Sequence, residues 1–307
     1  MLARRFSYLL ASLTFALVLL GGIVHSTGSS LACPDWPLCY NMVFPPMRGG
    51  ILFEHSHRLL ASAVALCTVI LAAMIWPRRD TALRLLGALG VALVLFQACL
   101  GGLTVILRLP PPVSISHLAT SMAFFAWSLL MLFRLQVPEG APTSGEALVP
   151  RRLVTWACAL VYLQIVIGAA VRHTAASMSC GTEVLTCFGE IMPSTGPQWL
   201  QTTHRLLALV VMAVVIASTI KPMRAARLAG RRTVWRLGLA AHILVSLQIV
   251  MGVLTLRTGV QMHVVSTHLA LGAALWGVMV GFWVKLGPLG APVGAAAAKP
   301  PLRAAVS

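Results

Sequence analysis

Two histidines of this 307-residue chain, His57 and His204, each open a His-Arg-Leu-Leu-Ala segment. Each lies 36 residues after a glycine (Gly21, Gly168), and each of those glycines precedes a cysteine (Cys33, Cys180) by 12 residues. The offset between the two sets is 147 residues throughout. Two further histidines, His117 and His268, stand 13 residues after the threonine of a Gln-x3-Gly-x-Leu-Thr segment (97–104 and 248–255), at an offset of 151. Imidazole nitrogen is the most versatile transition-metal ligand a side chain offers. Two facing helices that carry one histidine each at similar depth supply both axial positions of a haem iron, with the porphyrin body among apolar side chains. The pairs His57/His117 and His204/His268 therefore describe two haem-sized sites. Zinc is disfavoured, because no His-x3-His or Cys-x2-Cys spacing occurs and no carboxylate completes a tetrahedral set. Copper stays open on ligand type alone. His25, His55, His173 and His263 lack repeat partners of the same type and read as polar residues at an interface, and His242 reads as structural.

The two halves differ three residues before the first histidine of each, on the same helical face. Glu54 precedes His57, whereas Gln201 precedes His204. A carboxylate beside an apolar pocket is costly and points to function, while glutamine keeps its shape without its charge. This asymmetry places the chemistry in the N-terminal half. There Glu54 would exchange protons or stabilise a developing cation on a substrate held at His57 and His117, and the His204/His268 site would hold a permanent redox cofactor. Arg58 and Arg205 directly follow the first histidines and are candidates to pair with haem propionates, with ordinary interfacial anchoring as the alternative. Four of seven cysteines form two loop pairs, Cys33 with Cys39 and Cys180 with Cys187. They are read as disulfide staples of lids over the two sites, with a redox-active role left open. Cys67, Cys99 and Cys158 fall inside apolar runs and read as buried thiols.

The elements that must position these residues are membrane helices. The composition is 58% apolar and only 10% charged, with a mean hydropathy of +0.88, which excludes a soluble chain. Runs of about 20 apolar residues, enough to cross a bilayer as a helix, occur at 8–26, 56–76, 82–107, 114–133, 152–172, 201–220, 235–256 and 264–284. Continuous runs exclude a β-barrel, whose strands alternate. The expected fold is therefore all-α, with eight transmembrane helices forming two parallel four-helix repeats about a pseudo-two-fold axis along the membrane normal. Residues 1–136 would form the first repeat, 137–150 a linker, 151–285 the second repeat and 286–307 a tail.

The net charge of +16 follows from topology, not from a nucleic-acid partner. Of the 23 basic residues, 17 fall on the side that holds both termini and six on the other. By the positive-inside rule both termini are cytoplasmic and the histidine sites extracytoplasmic. The basic loops would lie against anionic lipid headgroups. Although 1–33 has some features of an export signal, it is read as the first span, because it takes part in the repeat. The small-residue stretch Gly87-Ala88-Leu89-Gly90 is suited to close packing within the bundle or between protomers.

The stretch 21–39, Gly-Gly-Ile-Val-His-Ser-Thr-Gly-Ser-Ser-Leu-Ala-Cys-Pro-Asp-Trp-Pro-Leu-Cys, the segment Glu54-His-Ser-His-Arg58 and the duplicated four-helix plan resemble the haem A synthase family over nearly the whole chain. The resemblance implies an enzyme of a bacterial plasma membrane that oxidises a ring methyl of haem O, by successive hydroxylations, to the formyl group of haem A for terminal oxidases. It implies haem b at His204 and His268, substrate haem O near His57 and His117, a functional carboxylate at Glu54 and an extracytoplasmic disulfide at Cys33/Cys39. Haem O synthase and oxidase assembly components are the partners it implies. His25 stands where many members of that family have arginine, and His55 adds an imidazole inside the Glu-x-x-His motif. From the residues alone, a bis-histidine electron-transfer cytochrome and a haem carrier without catalysis stay open. The sequence is silent on oligomeric state.

Overall fold

A computed structural model describes residues 2–136 and 151–287. The linker expected at 137–150 and all but the first two residues of the tail expected at 286–307 lie outside the described residues. Among the described residues eight α-helices follow in order, with one short 3-10 turn, Ala176–Met178, after the fifth: α1 Leu2–Ser26, α2 Gly49–Ile75, α3 Thr81–Ile106, α4 Pro111–Arg134, α5 Arg151–His173, α6 Gly196–Leu228, α7 Arg232–Arg257 and α8 Met262–Lys285. All eight are long and apolar enough to cross a membrane, so the chain is an all-helical multi-pass membrane protein.

Local signals set the ends. The Asp80 carboxylate accepts the Leu83 N–H at the start of α3, 3.0 Å away. Thr195 and Gln198 form a reciprocal cap at the start of α6, and α4 opens on a proline, whose missing N–H is unneeded there. Three elements run well beyond the apolar windows, α1 among them, which starts at Leu2, six residues before its window. The helix α6 continues through Pro222 to Leu228, because the segment that carries Lys221, Arg224 and Arg227 stays helical past the hydrophobic stretch. The helix α2 begins at Gly49, seven residues before the window, so Glu54 and His55 belong to it and not to the preceding loop.

Within the first half, α1 packs on α2 and α4, and α3 on α2 and α4. Within the second, α5 packs on α6 and α8, and α7 on α6 and α8. The histidine-bearing helices α2 and α4 thus occupy diagonal corners of one four-helix group, and α6 and α8 those of the other. The halves meet through α1 with α8, α4 with α5, and α4 with α8. Leu10, Val64, Leu71, Ile75, Phe124 and Met131 fill the first core. Val154, Val161, Val215, Val245, Met279 and Phe282 fill the second, into which Met122 and Phe125 of α4 also reach. The Trp276 indole donates to the Met122 carbonyl between the halves at 2.9 Å.

Small residues allow the closest approaches, since helices in lipid associate by packing and not by expelling water. A methyl at Gly90 would lie 1.9 Å from the Trp127 ring and one at Gly87 would lie 2.8 Å from Ile75. The Gly87–Gly90 face is therefore used inside the bundle. Large apolar side chains such as Leu66, Leu85, Leu95, Ile106 and Trp156 point outward, where lipid is the solvent.

Candidate functional site

Each of the four repeated histidines sits against a glycine of an adjacent helix. A Cβ on Gly21 of α1 would lie 3.0 Å from Cε1 of His57, and one on Gly101 of α3 would lie 3.1 Å from Cε1 of His117. In the second half, the matching distances are 2.9 Å from Gly168 of α5 to His204 and 3.6 Å from Gly252 of α7 to His268. These glycines mark the repeat in the sequence, and the fold gives them a task. Without a side chain, the neighbouring helix comes close enough to seat an imidazole edge.

One turn before three of these glycines stands a glutamine on the same face. The Gln97 amide donates to the His117 carbonyl at 2.9 Å, that of Gln164 to the His204 carbonyl at 2.9 Å, and that of Gln248 to the His268 carbonyl at 2.8 Å. The Gln164 amide nitrogen also lies 3.1 Å from Nδ1 of His204. The fourth position, on α1, is Leu17. His57 has no such glutamine. Gln97 and Gln248 were legible as repeat markers, but the role of Gln164 was not, and its signal was the shared Gln-x3-Gly spacing.

His57 and His117 stand on α2 and α4 of one four-helix group, and His204 and His268 on α6 and α8 of the other. The buried Nδ1 atoms of His57, His117 and His268 make no hydrogen bond of regular geometry among the described residues, although the Leu17 and Gln97 backbone lies against the His57 and His117 rings. Each half thus carries two buried imidazoles on diagonal helices, a donor set of the kind that could hold the iron of a flat macrocycle. His242 is engaged elsewhere, 2.7 Å from the Thr219 hydroxyl.

The loop after α1 is closed by a disulfide between Cys33 and Cys39, and the loop after α5 by one between Cys180 and Cys187. Trp36 rests on α3, where a Cβ at Gly102 would lie 2.9 Å from its ring. The Asp35 carboxylate accepts the Tyr40 and Asn41 N–H groups at 2.6 and 2.7 Å. The Asn41 N–H, then that of Tyr40 and the nearby Arg58 charge, hold the Asp35 carboxyl below the usual carboxylate range. In the second loop Glu183 does the same work, accepting from Gly189 at 2.9 Å and from the Thr186 hydroxyl at 2.5 Å. Those two bonds hold its carboxyl low as well. Sequence reasoning passed over both acids, whose position just after the first loop cysteine was the available sign.

Glu54 is 4% exposed. Its Oε2 accepts the Cys33 N–H at 2.8 Å, and its Oε1 pairs with Arg58 at 2.6 Å. Arg58 also donates to the carbonyls of Asp35, Leu38 and Cys33, so its guanidinium is largely committed to the loop. Gln201 accepts the Cys180 N–H at 2.8 Å and donates to the Ser177 carbonyl. Arg205 reaches the Val184 and Thr186 carbonyls at 3.3 and 3.4 Å, and its Nε and Nη2 have no partner among the described residues.

Two histidines that lack sequence partners meet in space. The rings of His25 and His173, at the ends of α1 and α5, lie 4.6 Å apart between the halves. Beside them the Ser26 and Ser266 hydroxyls hydrogen-bond at 2.8 Å.

The profile of the COX15-CtaA family, described as cytochrome oxidase assembly protein, matches residues 4–51 and 47–280. A Staphylococcus saprophyticus protein named heme A synthase is 30% identical over 287 residues, 90% of this chain and 93% of that protein. Proteins of the same name from Staphylococcus aureus and Bacillus pumilus are 29% and 26% identical over 280 and 292 residues. The alignment covers 89% and 91% of this chain, and 91% and 94% of those proteins.

Proposed function

Because the chain belongs to the COX15-CtaA family of cytochrome oxidase assembly proteins, we propose that it forms haem A, oxidising a ring methyl of haem O by successive hydroxylations to a formyl group. The observation that carries this reading is the paired construction of the two sites with a single charged difference. Four glycine-seated imidazoles lie on diagonal helices, and the carboxylate of Glu54 is replaced by the Gln201 amide in the second half.

Substrate haem O is held in the N-terminal half by His57 and His117, and haem b in the C-terminal half by His204 and His268. Haem b, when bound, supplies reversible one-electron chemistry. His204 is the more firmly held of the two first histidines, because Gln164 fixes both its carbonyl and its ring. Leu17 offers His57 no side-chain hydrogen bond, only a backbone contact, which leaves His57 freer to take up a substrate and release a product. Glu54, one turn before His57, keeps negative charge at the rim of the substrate site. It stabilises positive charge that develops at the reacting carbon and accepts the released proton at a carboxylate oxygen. Of the two arginines, Arg205 has guanidinium nitrogens to spare for a propionate, while Arg58 holds Glu54 and the loop in place. The stapled loops shield the two sites from water.

The setting follows from the charge distribution. Both termini and the basic loops lie on the cytoplasmic side of a bacterial plasma membrane, and both sites open outward. Residues 1–136 and 151–285 act as two repeats about a pseudo-two-fold axis. A haem O synthase supplies the substrate, and oxidase assembly components take the product.

The test is chromatography and mass analysis of haems extracted from the purified protein after expression in a host that makes haem O but not haem A. Hydroxylated and formylated haem beside haem b is the expected result. Haem b alone, with haem O supplied, would replace this reading with an electron-transfer cytochrome.

A further inference from the structure

His55 is an imidazole beside a disulfide. It is 3% exposed, and both Cys33 and Cys39 are fully buried. A ring nitrogen of His55 and the two sulfurs lie within 4.8 Å of one another. The ring nitrogen Nε2 lies 2.8 Å from the Val43 carbonyl oxygen. A carbonyl can only accept, so Nε2 carries the hydrogen and Nδ1 presents a bare lone pair. That Nδ1 is buried and has no partner among the described residues. An imidazole that donates one N–H to a backbone carbonyl while its other nitrogen waits unpaired is the arrangement found behind histidine metal ligands, where the carbonyl fixes both tautomer and ring orientation.

The second half supplies an internal comparison. The residue 147 positions after His55 is Thr202. Its hydroxyl lies 3.9 Å from the Cys180 sulfur and 3.8 Å from the Cys187 sulfur. The residue after Glu54 or Gln201 thus faces the cysteine pair in both halves, but only in the first half is it an imidazole, able to ligate a soft cation.

We propose that Cys33, Cys39 and His55 form a redox-gated binding site for a thiophilic d10 cation, Zn2+ or Cu+, which exists only when the disulfide is open. Opening takes two electrons and two protons from a dithiol reductant of the thiol–disulfide exchange class, which leaves as its own disulfide. Each freed sulfur then loses its proton on binding the cation, giving two thiolates and one neutral imidazole, a set of two sulfur donors and one nitrogen donor suited to such ions. With the disulfide closed, the sulfurs lack the anionic charge that holds the metal. The site is separate from the four paired histidines and does not depend on the haem reading.

The experiment uses the full-length protein in detergent, with its haem content recorded. The protein is reduced with a phosphine under anaerobic conditions and titrated with Zn2+ against a chromophoric chelator. The reduced protein binds one Zn2+ that the oxidised protein does not, and Co2+ in its place gives thiolate charge-transfer absorption. His55→Gln weakens binding by about tenfold or more, whereas Cys180→Ser/Cys187→Ser leaves it unchanged. A measurement on the unaltered chain covers the case in which His55→Gln does not fold. In the reduced protein Zn2+ protects Cys33 and Cys39, but not Cys180 and Cys187, from alkylation by a maleimide, read by peptide mass. Equal binding in both redox states, unchanged affinity in a folded His55→Gln protein, or equal protection of the two pairs would overturn the proposal.

Discussion

The Glu54 carboxylate and the Gln201 amide each accept the N–H of the first loop cysteine of their half, and both bonds measure 2.8 Å. The two side chains share this one bond and differ in the rest, since Gln201 also donates to the Ser177 carbonyl. Their difference in charge goes with a different partner for the following arginine. Arg58 closes onto Glu54 at 2.6 Å, while Arg205 turns to loop carbonyls.

Glu54→Gln should therefore leave the loop anchored, because the second half shows that an amide oxygen can take the Cys33 N–H. Expression, the Cys33–Cys39 disulfide and bound haem b are expected to persist, while oxidised haem falls by about a hundredfold or more, the usual scale of an acid–base group. Glu54→Ala removes the acceptor as well and should also loosen the loop. Haem analysis combined with limited proteolysis separates the two effects. Full product from Glu54→Gln would end the assignment of chemistry to this carboxylate.

The glycine seats predict a graded series. Alanine at Gly21, Gly101 or Gly168 places a methyl 2.9 to 3.1 Å from an imidazole carbon and should cost about 1–3 kcal/mol of overpacking. Alanine at Gly252, at 3.6 Å from His268, makes an ordinary contact. Haem content, read from the Soret absorbance of each purified variant, should fall for Gly168→Ala and stay close to normal for Gly252→Ala. Equal loss in both would remove the steric explanation.

The contrast between Gln164 and Leu17 predicts how firmly each half retains its haem. Gln164→Leu takes a hydrogen bond worth about 1 kcal/mol from His204, so transfer of haem b to an excess of a haem-accepting apoprotein should speed up about fivefold. Leu17→Gln should slow release from the N-terminal half and lower product turnover while bound haem rises. Transfer rates that ignore both substitutions would show that the glutamines merely fill space.

The first loop should show a defined pH dependence. The Asp35 carboxyl is held low by the Asn41 and Tyr40 N–H groups. Its anchoring is therefore complete above the ordinary carboxylate pKa of about 3.9. It is lost only as the pH falls through the lower folded value. Amide hydrogen exchange at residues 40 and 41 should be slow at neutral pH, and Asp35→Asn should make it fast there. Exchange in the variant as slow as in the parent protein would show that other contacts hold this turn.

Much of the architecture was readable from the residues alone. Hydropathy marked eight spans, since a bilayer tolerates only helices with their backbone bonds satisfied internally. The repeat singled out His57, His117, His204 and His268 together with the glycines that seat them. Glu54 against Gln201 was legible as a difference of charge beside an apolar pocket, but the place of Glu54 in the second turn of α2 and its bond to Cys33 were not. Invisible in the sequence were the contact of His25 with His173 and the unpaired Nδ1 of His55 beside a disulfide. Helical periodicity tells which residues share a face. The helix that a face meets, and the ring nitrogen that is left without a partner, are set by close packing between segments distant in sequence, and only the assembled bundle decides them.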